Sequence, residues 1–157
     1  MLTRTMSRAD ALAICHVWAA GNEPRIVVLH GPSRGGKTKL VTEAVQRMTE
    51  RSGIPPRVWT AATLRERHVQ ALLRATMLEL PQRCVAPAGA LVLEHLEDLG
   101  DRPHMFQVIV RTVLALHGTG HPVLMTVTRM PPASTRVLRS LRCMKERGAE
   151  VLMVPVP

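Results

Sequence analysis

Apolar residues along the chain fall into two kinds of run. Ile26 to Leu29 and Ala90 to Leu93 are short and unbroken, Val123 to Val127 is short and interrupted only by Thr126, and several of their residues are β-branched. Runs of that length and type predict strands buried on both faces. Val58 to Thr60 and Glu150 to Val154 are two further short strands. The other runs are longer and periodic. Thr63 to Leu80 places Leu64, Val69, Leu72, Leu73 and Met77 along one helical stripe. Met105 to His117 does the same with Val108, Ile109, Thr112, Val113 and Leu116, and ends at Gly118 and Gly120. Residues 7–20 predict a first helix, with Ser7 as its cap and Asp10 three residues later, close to a capping box. Leu40 to Met48 and Ala133 to Arg147 are the remaining helices.

Strands and helices therefore alternate from one end to the other. That order predicts an α/β fold of three layers, a five-stranded parallel sheet between helices. The chain has 157 residues, which suits a single domain over 1–157 with a sizeable core. Pro81 to Gly89 reads as a loop, and no repeat or low-complexity linker divides the sequence.

Composition narrows the chemistry. Hydrophobic residues make up 46%, but there is only one Phe, two Trp and no Tyr, so the core must be aliphatic. The same scarcity removes the stacking platform that single-strand nucleic-acid readers use. The formal net charge is +9, which favours a polyanionic partner, nucleic acid first. Its arginines are dispersed and form no basic run, so ordinary surface usage is the competing account. Cys15, Cys84 and Cys143 are far apart and show no metal-ligand spacing, which suits inert thiols in a reducing cytoplasm. No apolar run approaches the length of a membrane span, and charged residues interrupt the first stretch where a secretory signal would lie.

The strongest chemical signal is Gly31-Pro32-Ser33-Arg34-Gly35-Gly36-Lys37-Thr38. It fits the phosphate-binding pattern G-x-x-x-x-G-K-[ST] in full, between a strand, RIVVLH, and a helix, KLVTEAVQRM. The glycines let backbone N–H groups turn inward around phosphates, and the helix N-terminus adds partial positive charge. Lys37 is placed to reach the β- and γ-phosphates, and Thr38 offers a hydroxyl to Mg²⁺. The expected ligand is ATP or ADP with Mg²⁺. Such a site also needs a carboxylate at a neighbouring strand end, and Glu94, directly after Leu91-Val92-Leu93, is the candidate metal ligand. His95 follows, then Glu97 and Asp98.

With these segments in place, the chain resembles the AAA+ core of the bacterial replication initiator DnaA family. SRADALAICHVW is similar to that family's first helix, and RIVVLHGPSRGGKTKLV to its Walker A unit. VWTAATLRERHVQAL resembles the opening of its second βα unit. LVLEHLEDLGDRPHMFQVIVRTVLALHGTGHPVLMTVTRMPP resembles its Walker B strand, sensor I strand and Pro-Pro turn. TRVLRSLRCMKERGAEVLMVPVP is similar to the helix bearing the arginine finger and to the last strand.

The resemblance implies roles. Glu94 stands where the family has its Walker B Asp. Thr126 or Thr128 is the sensor I residue for the γ-phosphate, and Arg139 or Arg142 is the finger for a neighbour's nucleotide. Arg65, Arg67 and Arg74 lie on the helix that faces the central channel in that lineage. His95 replaces the acid that orients water in hydrolysing members. A neutral imidazole can accept a proton, but a packing role for His95 would leave a weak ATPase or none. The sequence stops where the family's lid would begin, so the lid and the duplex-reading domain are not expected.

Two classes of function follow. One is a nucleotide-gated regulator or assistant in DNA replication or related DNA transactions, docking on an AAA+ protein, on itself, or non-specifically on nucleic acid. The other is a small ATPase or P-loop kinase, though the sequence shows no arginine-rich kinase lid. A scaffold that binds no nucleotide is the third outcome, and the intact Lys37 and Thr38 speak against it.

Overall fold

The computed structural model describes residues 6–23, 25–32, 34, 36–64, 66, 89–99, 103–128 and 136–157. In chain order the elements are α1 (Arg8–Ala19), β1 (Ile26–Gly31), α2 (Lys37–Ser52), β2 (Arg57–Thr60) and α3 (Ala61–Leu64). Then come β3 (Leu91–Glu94), a 3₁₀ turn (Leu96–Leu99), α4 (Pro103–Gly118), β4 (Val123–Thr128), α5 (Arg136–Glu146) and β5 (Val151–Pro155). Most of the helix expected over 63–80, with Arg65, Arg67 and Arg74, lies outside the described residues, as does Cys84. α2 and α4 are both longer than expected, α4 starting at Pro103 rather than Met105. α2 begins at Lys37 rather than Leu40 and runs on to Ser52, where Gly53 closes it in the left-handed conformation. A 3₁₀ turn follows β3, where the apolar pattern predicts no element.

The strands form one parallel sheet in the order β2-β3-β4-β1-β5. β1 is held on both sides, with Ile26 opposite Val123 of β4 and Val151 of β5. Alternation along β1 splits the core between the two faces. Ile26 and Val28 join Leu91, Leu93, Phe106, Val113, Met125, Leu141 and Met144 under α4 and α5. Val27 and Leu29 join Ala11, Cys15, Trp18, Leu40, Ala44 and Met48 under α1 and α2. Both clusters are almost wholly aliphatic. Trp18 is fully buried and sends its indole N–H to the carbonyl of Arg25 at 3.1 Å, which satisfies the ring's one polar atom. Burial pushes the Cys15 thiol up to about 11, so it is a packing group and not a nucleophile at neutral pH. No helix among the described residues is long and apolar enough to cross a membrane.

This topology sets the site. From β1 the chain crosses to the sheet's far edge at β2, while β4 and β5 flank β1. In such sheets ligands bind beyond the carboxyl ends of the strands where the order switches. The loop between β1 and α2, the turn after β3 and the end of β4 all lie at that edge.

Candidate phosphate-binding site

Gly31 closes β1 and sits so near the chain after β5 that a Cβ there would lie 2.1 Å from the carbonyl oxygen of Val156. Only glycine fits. The approach is tied by the Val156 N–H, which donates to the carbonyl of His30 at 2.7 Å. Five residues on, Gly36 caps α2 with φ 87°, a left-handed conformation that favours glycine. No side chain caps this helix and its first turn holds no acid. Its leading N–H groups and the positive end of its dipole therefore face outward without a negative side chain of the helix's own.

Lys37 is the first residue of α2 and is buried at 5% exposure. Its ammonium donates to the carbonyls of Gly31 and Pro32, both at 2.8 Å, so it spans the loop from inside. Burial lowers its pKa, and the carboxylate of Glu97 partly opposes that shift. His30, just before the loop, is also lowered, by burial first and by the Lys37 charge second. Thr38 and Arg34 are exposed, and Ser33 and Gly35 lie outside the described residues.

The acidic strand end is built differently from the motif side. Glu94 is the last residue of β3, half-buried and paired in register with Thr60 of the edge strand β2. His95 then takes φ 58°, left-handed and unusual for a residue with a side chain. Its N–H donates to the hydroxyl of Thr126 at 3.0 Å. The turn that follows swings Glu97 inward. Glu97 accepts a hydrogen bond from the Thr128 hydroxyl on one oxygen, and the same oxygen is 3.7 Å from Nδ1 of His95. Its other oxygen is buried with no hydrogen-bond partner among the described residues.

Thr126 and Thr128 both contact this strand end, one through the backbone of His95 and one through Glu97. Glu97 is the residue the sequence pattern missed as a site group. Its signal was present in the run Glu94-His95-Leu96-Glu97-Asp98, but only the turn decides which acid faces Lys37. His95, Glu97 and Asp98 bring one ligand atom each within 4.8 Å of one another, with Asp98 exposed.

The orphaned Glu97 oxygen, the exposed Thr38 hydroxyl and the unneutralised start of α2 suit a nucleotide phosphate with a hard cation. Arg139 and Arg142 are elsewhere: both are exposed on α5, over the sheet face opposite α1 and α2. Arg139 lines a groove of about 330 Å³ with Phe106, Arg111, Cys143 and Arg147, and no cradle residue lines it.

No protein-family model and no curated protein matches the sequence. Solved structures do match its shape. Domain III of the Thermotoga maritima replication initiation protein DnaA superposes with a TM-score of 0.70 at 14% identity, over 99% of this chain and 65% of that one. The fold is that of an AAA+ P-loop NTPase. AMPPCP-bound DnaA from Aquifex aeolicus follows at 0.65 and 17% identity, over 96% of this chain and 48% of that one. The DnaC helicase loader matches at 0.63 and 17%, over 98% of this chain and 93% of its own. The chain thus spans about two thirds and about half of the two initiator chains, and nearly the whole of the loader chain. Likeness at this identity establishes the α/β fold alone.

Proposed function

We propose that the chain is an ATP-binding AAA+ module, a nucleotide-gated regulator or assistant in DNA replication or a related DNA transaction, with weak hydrolysis at most. The observation that carries this reading is Lys37, a buried ammonium held across the loop by two carbonyls at the start of a helix without its own anion. Structural neighbours described as AMPPCP-bound DnaA and as a helicase loader support the nucleotide and the replication setting.

In this reading, Lys37 exchanges the carbonyls of Gly31 and Pro32 for phosphate oxygens, and the leading N–H groups of α2 bind the rest of the phosphate chain. Thr38 and Glu97, with Glu94 as the alternative carboxylate, would hold Mg²⁺, whose contribution is to neutralise phosphate charge. Glu97 is bonded to Thr128 and its backbone turn is fixed by Thr126, so movement of Lys37 is transmitted to the ends of β3 and β4. That linkage is the gate. His95 gives no second carboxylate to orient water, which favours binding over turnover.

The gated surface docks on an AAA+ partner or a second copy of the chain. Arg139 or Arg142, remote from this chain's own cradle, serves a neighbour's nucleotide. The +9 charge allows non-specific contact with nucleic acid.

Calorimetric titration with ATP and Mg²⁺ tests the site. Wild type is expected to bind and Lys37→Ala to lose binding. A wild type that binds neither ATP nor ADP would leave the fold acting as a scaffold. Steady turnover near one per second, typical of enzymes at the slow end, and lost in Lys37→Ala, would instead favour a small ATPase.

A further inference from the structure

We propose that Arg8 is a second cationic clamp on the nucleotide, reaching the diphosphate from α1 rather than from the loop or α2. The proposal rests on the reading of the cradle given above.

Arg8 opens α1, and a complete capping box fixes that turn. The Ser7 N–H donates to the Asp10 carboxylate at 2.9 Å, and the Asp10 N–H donates to the Ser7 hydroxyl at 3.1 Å. α1 is itself anchored by Ala11, Cys15 and Trp18 in the core beneath α1 and α2. From this fixed start the guanidinium lies over the backbone of Gly36: a Cβ on Gly36 would meet Nη2 of Arg8 at 2.6 Å and Cζ at 3.0 Å.

No carboxylate among the described residues pairs with Arg8, although its side chain ends over the start of α2. Buried Lys37 follows Gly36 in the chain, and exposed Lys39 lines one cleft with Arg8. Glu43, across a cleft of about 310 Å³ that Arg8 lines with Leu12, Lys39 and Leu40, is 4.0 Å from the His16 imidazole. A cation beside a helix N-terminus is unfavourable by itself. The cluster of like charges becomes favourable when an anion enters it, and a guanidinium fork suits phosphate oxygens better than an ammonium does.

Position decides which phosphates. Backbone around Gly36 belongs to the part of the loop that cradles the α- and β-phosphates, whereas the lysine reaches the β- and γ-phosphates. Arg8 therefore serves the portion that ADP and ATP share.

The test titrates ADP and ATP, each with Mg²⁺, into the full chain and into Arg8→Gln, Arg8→Lys and Lys37→Ala, alongside unliganded thermal melts. Arg8→Gln is expected to weaken both nucleotides by the same factor, about 10-fold, or about 1.4 kcal/mol. Arg8→Lys should recover part of that loss. The unliganded Tm of Arg8→Gln should equal or exceed the wild-type value, because a repelled charge is gone. Wild-type affinity in Arg8→Gln, with binding abolished in Lys37→Ala, would overturn the clamp and leave the cradle intact. A loss confined to ATP, or one accompanied by a lowered Tm, would also overturn it. Absence of binding in the wild type would overturn the cradle and the clamp together.

Discussion

The ends of β1 and β3 meet at one edge of the sheet and are built by different rules. At β1 the backbone does the work. Gly31 must lack a side chain because Val156 is against it, Gly36 turns left-handed, and Lys37 bonds main-chain carbonyls. At β3 the side chains do it, with a His95 turn, a threonine on each of two alternate β4 positions, and a carboxylate that arrives three residues past the strand. The backbone-built end leaves no room for a side chain at Gly31 and disfavours one at Gly36, so it is written in the sequence as fixed glycine positions. The side-chain-built end can meet the same electrostatic need with a residue displaced along the chain, here Glu97 beside Glu94.

The largest effect should come from breaking the β1 end. Gly31→Ala places a methyl group into the Val156 carbonyl and is expected to destabilise the fold by about 3 kcal/mol, read as a lowered denaturant midpoint with an unchanged slope. An unshifted midpoint would mean that the chain after β5 is not packed on the loop.

The β3 end should respond less, and it separates two carboxylates. Glu97→Gln is expected to weaken Mg²⁺-dependent nucleotide binding about 10-fold, whereas Glu94→Gln should change it by less. The same Glu97 substitution removes the attraction that holds Lys37 up, so the lysine pKa falls further below its ordinary value. Equal losses for the two variants, or a greater loss for Glu94→Gln, would return the metal to the last residue of β3.

The smallest effect is a pH slope at the junction of the two ends. His30 is lowered in the fold by burial and by Lys37, so the unfolded chain binds this proton more readily. Its contribution to stability is complete above the unfolded imidazole value of about 6.5. It is lost progressively as pH falls through the lower folded value. Thermal melts from neutral to mildly acidic pH should show a steeper decline in wild type than in His30→Gln. Parallel declines would remove His30 from the account.

Much of this molecule is determined by its sequence. Short runs rich in apolar residues at Ile26 and Val123 predict buried strands, and strands alternating with periodic helices specify a layered α/β fold. Gly31 and Gly36 are glycines where the backbone requires them, one against the Val156 carbonyl and one in a left-handed turn, so the motif's fixed positions are legible locally. The Ser7–Asp10 cap is equally local, and both of its hydrogen bonds form. Tertiary structure decided what depends on elements distant in the chain. Sheet order brings Thr126 to the backbone of His95 and Thr128 to Glu97, each across 31 residues. Packing of α1 on α2 sets Arg8 over Gly36, 28 positions later by residue number. Neither pairing has a local signal, because backbone conformation is encoded by neighbouring residues, whereas the approach of two charges or hydroxyls is fixed only when the strands and helices carrying them are packed.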